Sequence, residues 1–170
     1  MKFKSVFILL LFAFAGFTVV YAEDTRTITD MVGRQVTVPT EIDSVLGTSP
    51  PTSEAVYMIN PDTLIGLNFA FNDTNYVSEK YRNLPNVGGQ QMGNTLNYET
   101  FLSMKPDIIL FGSSPGTNVS DTIDDMQRKL YPIPVVGVID ATNAKEYGPG
   151  IIFLGDLLDQ KEKASELNTF

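Results

Sequence analysis

The chain has no histidine and no cysteine among its 170 residues. Without histidine a Ser-His-Asp triad cannot be assembled, so Ser113, Ser114 and Asp140 are not a hydrolase site of that type. Zinc sites built from His and Cys are excluded with it. The missing cysteines rule out disulfides, thiolate metal ligands and a lipid carried on an N-terminal Cys. Phosphate-cradling glycine loops are lacking as well. Residues 112–116 have no P-loop Lys, and residues 88–93 do not keep the G-x-G-x-x-G spacing. Nucleotide binding is therefore unsupported. Positive charge is scarce, with 12 Lys and Arg against 20 Asp and Glu and a formal charge of −8. A surface of that sign repels nucleic acid, which is not expected as a partner. The charge itself reads as solubilising.

What is present begins with an apolar run. Lys2 and Lys4 precede residues 6–20, and Val20-Tyr21-Ala22 ends in a small residue suited to cleavage. Residues 1–22 are expected to be a signal peptide, which places the rest outside the cytoplasmic membrane, secreted, periplasmic or on the cell surface. An uncleaved anchor is the alternative, because the run approaches the roughly 20 residues that span a bilayer. The remaining 148 residues suffice for one domain and can bury a core without disulfide staples.

The most ordered stretch is 96–116. Tyr98, Phe101 and Leu102 share the spacing of one apolar helix face, with Asn97 ahead of them as N-cap. Pro106 stops that helix. Asp107 opens Ile108-Ile109-Leu110-Phe111, a short β-branched run that reads as a strand buried on both faces. Residues 112–116 then form a small polar loop at its carboxyl end, the edge where open α/β sheets bind ligands. The pattern repeats. Val119, Ile123, Met126 and Leu130 make a helical stripe, acidic at its start and basic at its end, and 135–139 is the next buried strand. Such alternation predicts an α/β fold with a parallel sheet and covering helices.

Before this stretch, Ile28 and the alternating Val36 and Val38 flank Gly33, predicting a β-hairpin closed by Pro39. Residues 44–47 read as a short strand. Thr52 or Ser53 would cap a helix carrying Ala55, Val56 and Ile59, which stops at Asn60-Pro61. Residues 64–71 read as another strand, and 73–97 as a long irregular region of the kind that is functional or disordered.

Four pieces then resemble one family in order. The D-x-x-G-R-x-V-x-V-P run (Asp30, Gly33, Arg34, Val36, Val38, Pro39) is similar to the entry signature of the class III, helical-backbone solute-binding proteins of ABC importers. Leu64-Ile65-Gly66 matches the L-V-G strand that follows the first helix. Val87-Gly88-Gly89 with Glu99, Pro106 and Asp107 resembles the central run. Leu154-Gly155 through Leu158, then Glu162 to Leu167, resembles the closing one. The resemblance implies a Rossmann-like parallel sheet with an N-terminal β-hairpin, a single lobe of a two-lobe protein. Residues 23–160 would be the N-terminal lobe and 161–170 the start of the interlobe helix, with the C-terminal lobe missing. The Gly148-Pro149-Gly150 break departs from a clean helix. The implied ligand is a metal-chelate small molecule (siderophore, haem or cobalamin class), delivered to an ABC permease, without catalysis, cofactor or bound metal of the protein's own. A secreted α/β enzyme using carboxylate acid/base chemistry, and a molybdate or tungstate oxyanion binder on the same fold, are the alternatives.

Candidate ligand-binding residues come from the loops. Thr48, Ser49, Pro50, Thr52 and Ser53 form the first βα turn, suited either to an anionic group or to a plain helix cap. Ser113 and Ser114 offer hydroxyl and backbone donors, or make an ordinary turn. Phe69 and Phe71 would share a strand face and stack on a flat ligand, or pack in the core. Asn68 and Asn72 add polar handles, and Gln90 and Met92 would stand on a rim. Glu54, Asp73 and Glu79 are candidates for docking to a basic permease pocket. Asn72 and Asn118 fit the N-glycosylation pattern, which implies surface exposure where it is used.

Overall fold

The computed structural model describes residues 24–69, 77–89, 96–140 and 147–169. A hairpin, β1 (Thr25–Thr29) and β2 (Gln35–Pro39), is followed by β3 (Val45–Gly47), α1 (Pro50–Ile59) and a 3-10 turn at Pro61–Thr63. Then come α2 (Glu79–Arg82), α3 (Tyr98–Met104), β4 (Ile108–Ser113), α4 (Ser120–Leu130), β5 (Val135–Ile139), α5 (Tyr147–Leu157) and α6 (Lys161–Leu167). The architecture is α/β. Strands β3, β4 and β5 lie parallel in that order, and β1 pairs antiparallel with β2.

Side chains of β4 alternate between two apolar layers, as a period of two requires. Ile108 and Leu110 join Val36, Val38, Val56, Ile59, Ile151 and Leu154, so the hairpin, α1 and α5 cover one face. Ile109 and Phe111 join Phe101, Ile123, Met126 and Leu130, so α3 and α4 cover the other. This double covering explains why 108–111 is apolar without alternation. In α3, Asn97 caps through Thr100 N at 3.2 Å, and Lys105 ends the helix at φ 49 before Pro106. Phe101 is fully buried, whereas Leu102 is 37% exposed, against the expectation of a shared apolar face. One residue further on is about 100° around the helix, and seven residues present too narrow a stripe to bury both.

The hairpin is fixed to the sheet through its turn. Asp30, buried, accepts from Val32 N (3.1 Å), Arg34 N (2.8 Å) and Gly137 N (3.0 Å), and Met31 N donates to Gly137 O at 3.0 Å. Arg34 links Asp30, Asp124 and the Val135 carbonyl. The outward backbone groups of β5 at Gly137 are thus satisfied by the turn. A Cβ at Gly137 would lie 2.6 Å from Val32 Cγ2, so only glycine admits this approach.

Three local expectations are corrected. The strand predicted over 64–71 is not continuous within the described residues. Leu64 and Leu67 make isolated parallel bridges to Val45 and Asn86. Between them the segment changes partner, Ile65 N donating to Val45 O and Leu67 N to Pro85 O, and just after them the Asn68 amide ties two neighbouring segments, donating to Gly47 O (2.9 Å) and Gly88 O (2.5 Å). Second, α1 begins at Pro50 and is capped by Ser49, not by Thr52 or Ser53, because Pro is pre-organised for the first helical turn. Third, α5 runs unbroken through Gly148-Pro149-Gly150, since Pro149 sits in the first turn where its missing N–H has no helical partner to lose. Ala164 of α6 packs on Gly155 of α5, and Asn168 N closes α6 on Ala164 O at 3.0 Å. No helix among the described residues is long and apolar enough to cross a membrane.

Candidate functional site

The chain leaves β3 through α1 towards Leu64 on one flank and returns through α3 to β4 on the other. This reversal makes the crevice beyond the carboxyl ends of β3 and β4 the topological switch point, where open α/β sheets take ligands. The two strand ends are tied by backbone and hydroxyl. Thr48 N donates to Leu110 O at 2.9 Å, and Gly112 N donates to Thr48 Oγ1 at 3.1 Å.

At the centre stands Asp140, directly after β5 and 6% exposed. Its N–H donates to Ser113 O at 2.8 Å. Ser49 Oγ donates to its Oδ2 at 2.6 Å and Thr52 Oγ1 to its Oδ1 at 2.5 Å, and the two hydroxyls are 2.9 Å apart. All three side chains crowd over Gly112, where any Cβ would collide with each of them. Burial pushes the Asp140 carboxyl above the ordinary carboxylate range, and the hydroxyls of Ser49 and Thr52 partly offset this. Tyr147, at the start of α5, is raised by burial and then by the negative charge of Glu54 and Asp140. Burial also raises Glu54. A narrow slot between α1 and α5, lined by Pro51, Thr52, Asp140, Tyr147 and Gly150, runs in beside this group.

The sequence-predicted residues divide by position. Ser49, Pro50 and Thr52 lie at the head of α1, where the two hydroxyls hold Asp140. Asn68 binds Gly47 O and Gly88 O and accepts from Ser53 Oγ at 2.5 Å, joining three segments of this edge, with Phe69 half-buried beside it. Ser113 is not in a loop: β4 extends through it, and its buried hydroxyl points at Val138 O, 3.4 Å away. Ser114, the next residue, is exposed. Phe71, Gln90 and Met92 lie outside the described residues, as do Asn72 and Asp73. Asp140 is the residue that sequence reasoning passed over. Its signal was a carboxylate at the end of an apolar strand, at the same edge as two hydroxyl-rich turns. Among the described residues, no three of His, Cys, Asp or Glu converge to hold a metal.

A larger groove lies at the opposite, amino end of the strands, lined among others by Arg34, Gln35, Lys105, Gln127 and Tyr131. It is remote from the switch point.

No family model matches the chain, and no curated protein matches it. Solved structures do. An ABC transporter solute-binding protein from Sulfurospirillum deleyianum superimposes with a TM-score of 0.71 at 28% identity, over 85% of this chain and 45% of its own. The molybdate-binding periplasmic protein MolA of Haemophilus influenzae, bound to molybdate, gives 0.61 at 20%, over 84% and 49%. A haem-binding protein, HmuT, gives 0.59 at 17%, over 85% and 44%. The chain thus spans less than half the length of these proteins. Its fold is that of a single lobe of the class III ABC solute-binding proteins.

Proposed function

We propose that this chain carries the N-terminal lobe of an extracytoplasmic solute-binding protein of an ABC importer, and that its cargo is iron or another metal held in an organic complex of the siderophore, haem or cobalamin class. The observation that carries the reading is the convergence at the switch point of the β3, β4 and β5 ends, with small and hydroxyl-bearing residues. On this reading residues 1–22 direct export, 23–160 form the lobe and 161–170 lead towards a second lobe. Ser114, the backbone at 112–114 and Phe69 face the cargo, while Ser49 and Thr52 hold Asp140 at the same edge. A membrane permease would receive the closed complex.

Small-ligand affinity depends on burying most of the ligand. One lobe covers one side, so the chain by itself binds weakly and a second lobe tightens the grip. Titration with a ferric hydroxamate siderophore, haemin and cyanocobalamin, followed by amide NMR, tests this. Shifts are expected at 47–49, 52, 53, 112–114 and 140. Shifts confined to 105, 107, 131 and 133 would reject the site, and tight binding by the chain alone would reject the half-clamp reading.

A further inference from the structure

A helix start ordinarily offers four N–H groups to an anion. The head of α1 offers none. Pro50 and Pro51 fill its first two positions and carry no N–H. Thr52 N is engaged by Ser49 Oγ at 3.3 Å and Ser53 N by Ser49 O at 3.1 Å. The hydroxyls that might substitute are engaged too. Those of Ser49 and Thr52 donate to Asp140, and that of Ser53 donates to Asn68 Oδ1. Glu54 and Asp140 both act on Tyr147 at the carboxyl edge. The amino edge carries Arg34 and Lys105, and Arg128 and Lys129 in the last turn of α4, but carboxylates stand with them: Asp124 on Arg34, Asp125 on Arg128 and Lys129, and Asp43 and Asp107 at the strand starts.

We infer that the carboxyl edge of this lobe selects against free oxyanions: Asp140 occupies the place an anion would take at the head of α1, and the edge accepts a ligand bringing N–H donors or positive charge of its own. The inference rests on the carboxyl edge being the ligand face. A carboxylate already bonded to two hydroxyls keeps acceptor capacity for a donor and repels a second anion at close range. Oxyanion binding at this turn would need both hydroxyls to reverse and Asp140 to leave a buried position.

Two probes read this on the chain by amide NMR: sodium molybdate and hexaamminecobalt(III) chloride. Hexaamminecobalt(III) is expected to shift Gly112 and Asp140, and molybdate to leave Thr52 and Ser53 unmoved. Asp140→Ala frees both hydroxyls and opens the space, so molybdate affinity should rise about tenfold or more. Asp140→Asn keeps the shape and a single cooperative thermal transition, and should lose the hexaamminecobalt(III) response. Molybdate shifts at Thr52 and Ser53 of the native chain would overturn the selectivity while leaving the ligand face intact. So would an Asp140→Asn response equal to the native one. Hexaamminecobalt(III) shifts restricted to 105, 107, 131 and 133 would instead remove the ligand face itself, and the inference with it.

Discussion

Asp140 concentrates the site's chemistry in one carboxylate, and Gly112 is what lets it sit there. A methyl group at 112 would collide with Ser49, Thr52 and Asp140 together. Gly112→Ala should therefore cost about 2 kcal/mol in urea denaturation, the scale of overpacking a filled core. The exposed Ser114→Ala should stay within about 0.5 kcal/mol. Asp140 also sets a pH dependence. Burial raises its folded-state pKa, so the folded chain holds the proton more tightly than the unfolded chain. Its contribution to stability is greatest below the unfolded value of about 3.9 and declines as pH rises through the raised folded value. Denaturation midpoints measured across that interval should fall with pH in the native chain and flatten in Asp140→Asn. Parallel curves would assign the slope to another group.

Among the elements, those encoded by local periodicity were legible from the sequence. The stripe Ile123, Met126 and Leu130 is buried where expected, and 135–139 forms β5. What escaped depends on partners distant in the chain. The bridges at Leu64 and Leu67 stop short of a strand because the segment passes from Val45 to Pro85 and Asn86 within three residues, and no pattern of apolar residues records that exchange. Ser49 as cap was readable from Ser-Pro-Pro, yet consecutive prolines read more readily as a turn. Asp140 was invisible as a site member because its partners lie 88 and 91 residues away. The hairpin motif shows the reverse case, a recognised pattern whose cause appears only in three dimensions. Asp30 joins its own turn to β5, so Asp30→Ala leaves the buried donor at Gly137 and the half-buried ones at Val32 and Arg34 without their acceptor. The loss should be about 3 kcal/mol in urea denaturation. It should also bare part of the β5 edge, so light scattering should report faster association of the variant than of the native chain.

At the scale of the whole molecule, helices on both faces of the sheet give the lobe two opposed ends: hydroxyl-lined around Asp140 where the strands finish, and charged in both signs where they begin, with Arg34 and Lys105 beside Asp43 and Asp107. The sequence composition showed the excess of acid but not its placement, which follows from where the strands start and end. The bond between Asp30 and Gly137 spans 107 residues. A contact that closes so long a loop is expected to form late, after the folding transition state. During synthesis the hairpin turn therefore lacks its partner on β5 until most of the lobe has been made. A latch set last should govern how fast the finished molecule comes apart: in stopped-flow kinetics Asp30→Ala should accelerate unfolding and leave the refolding rate nearly unchanged.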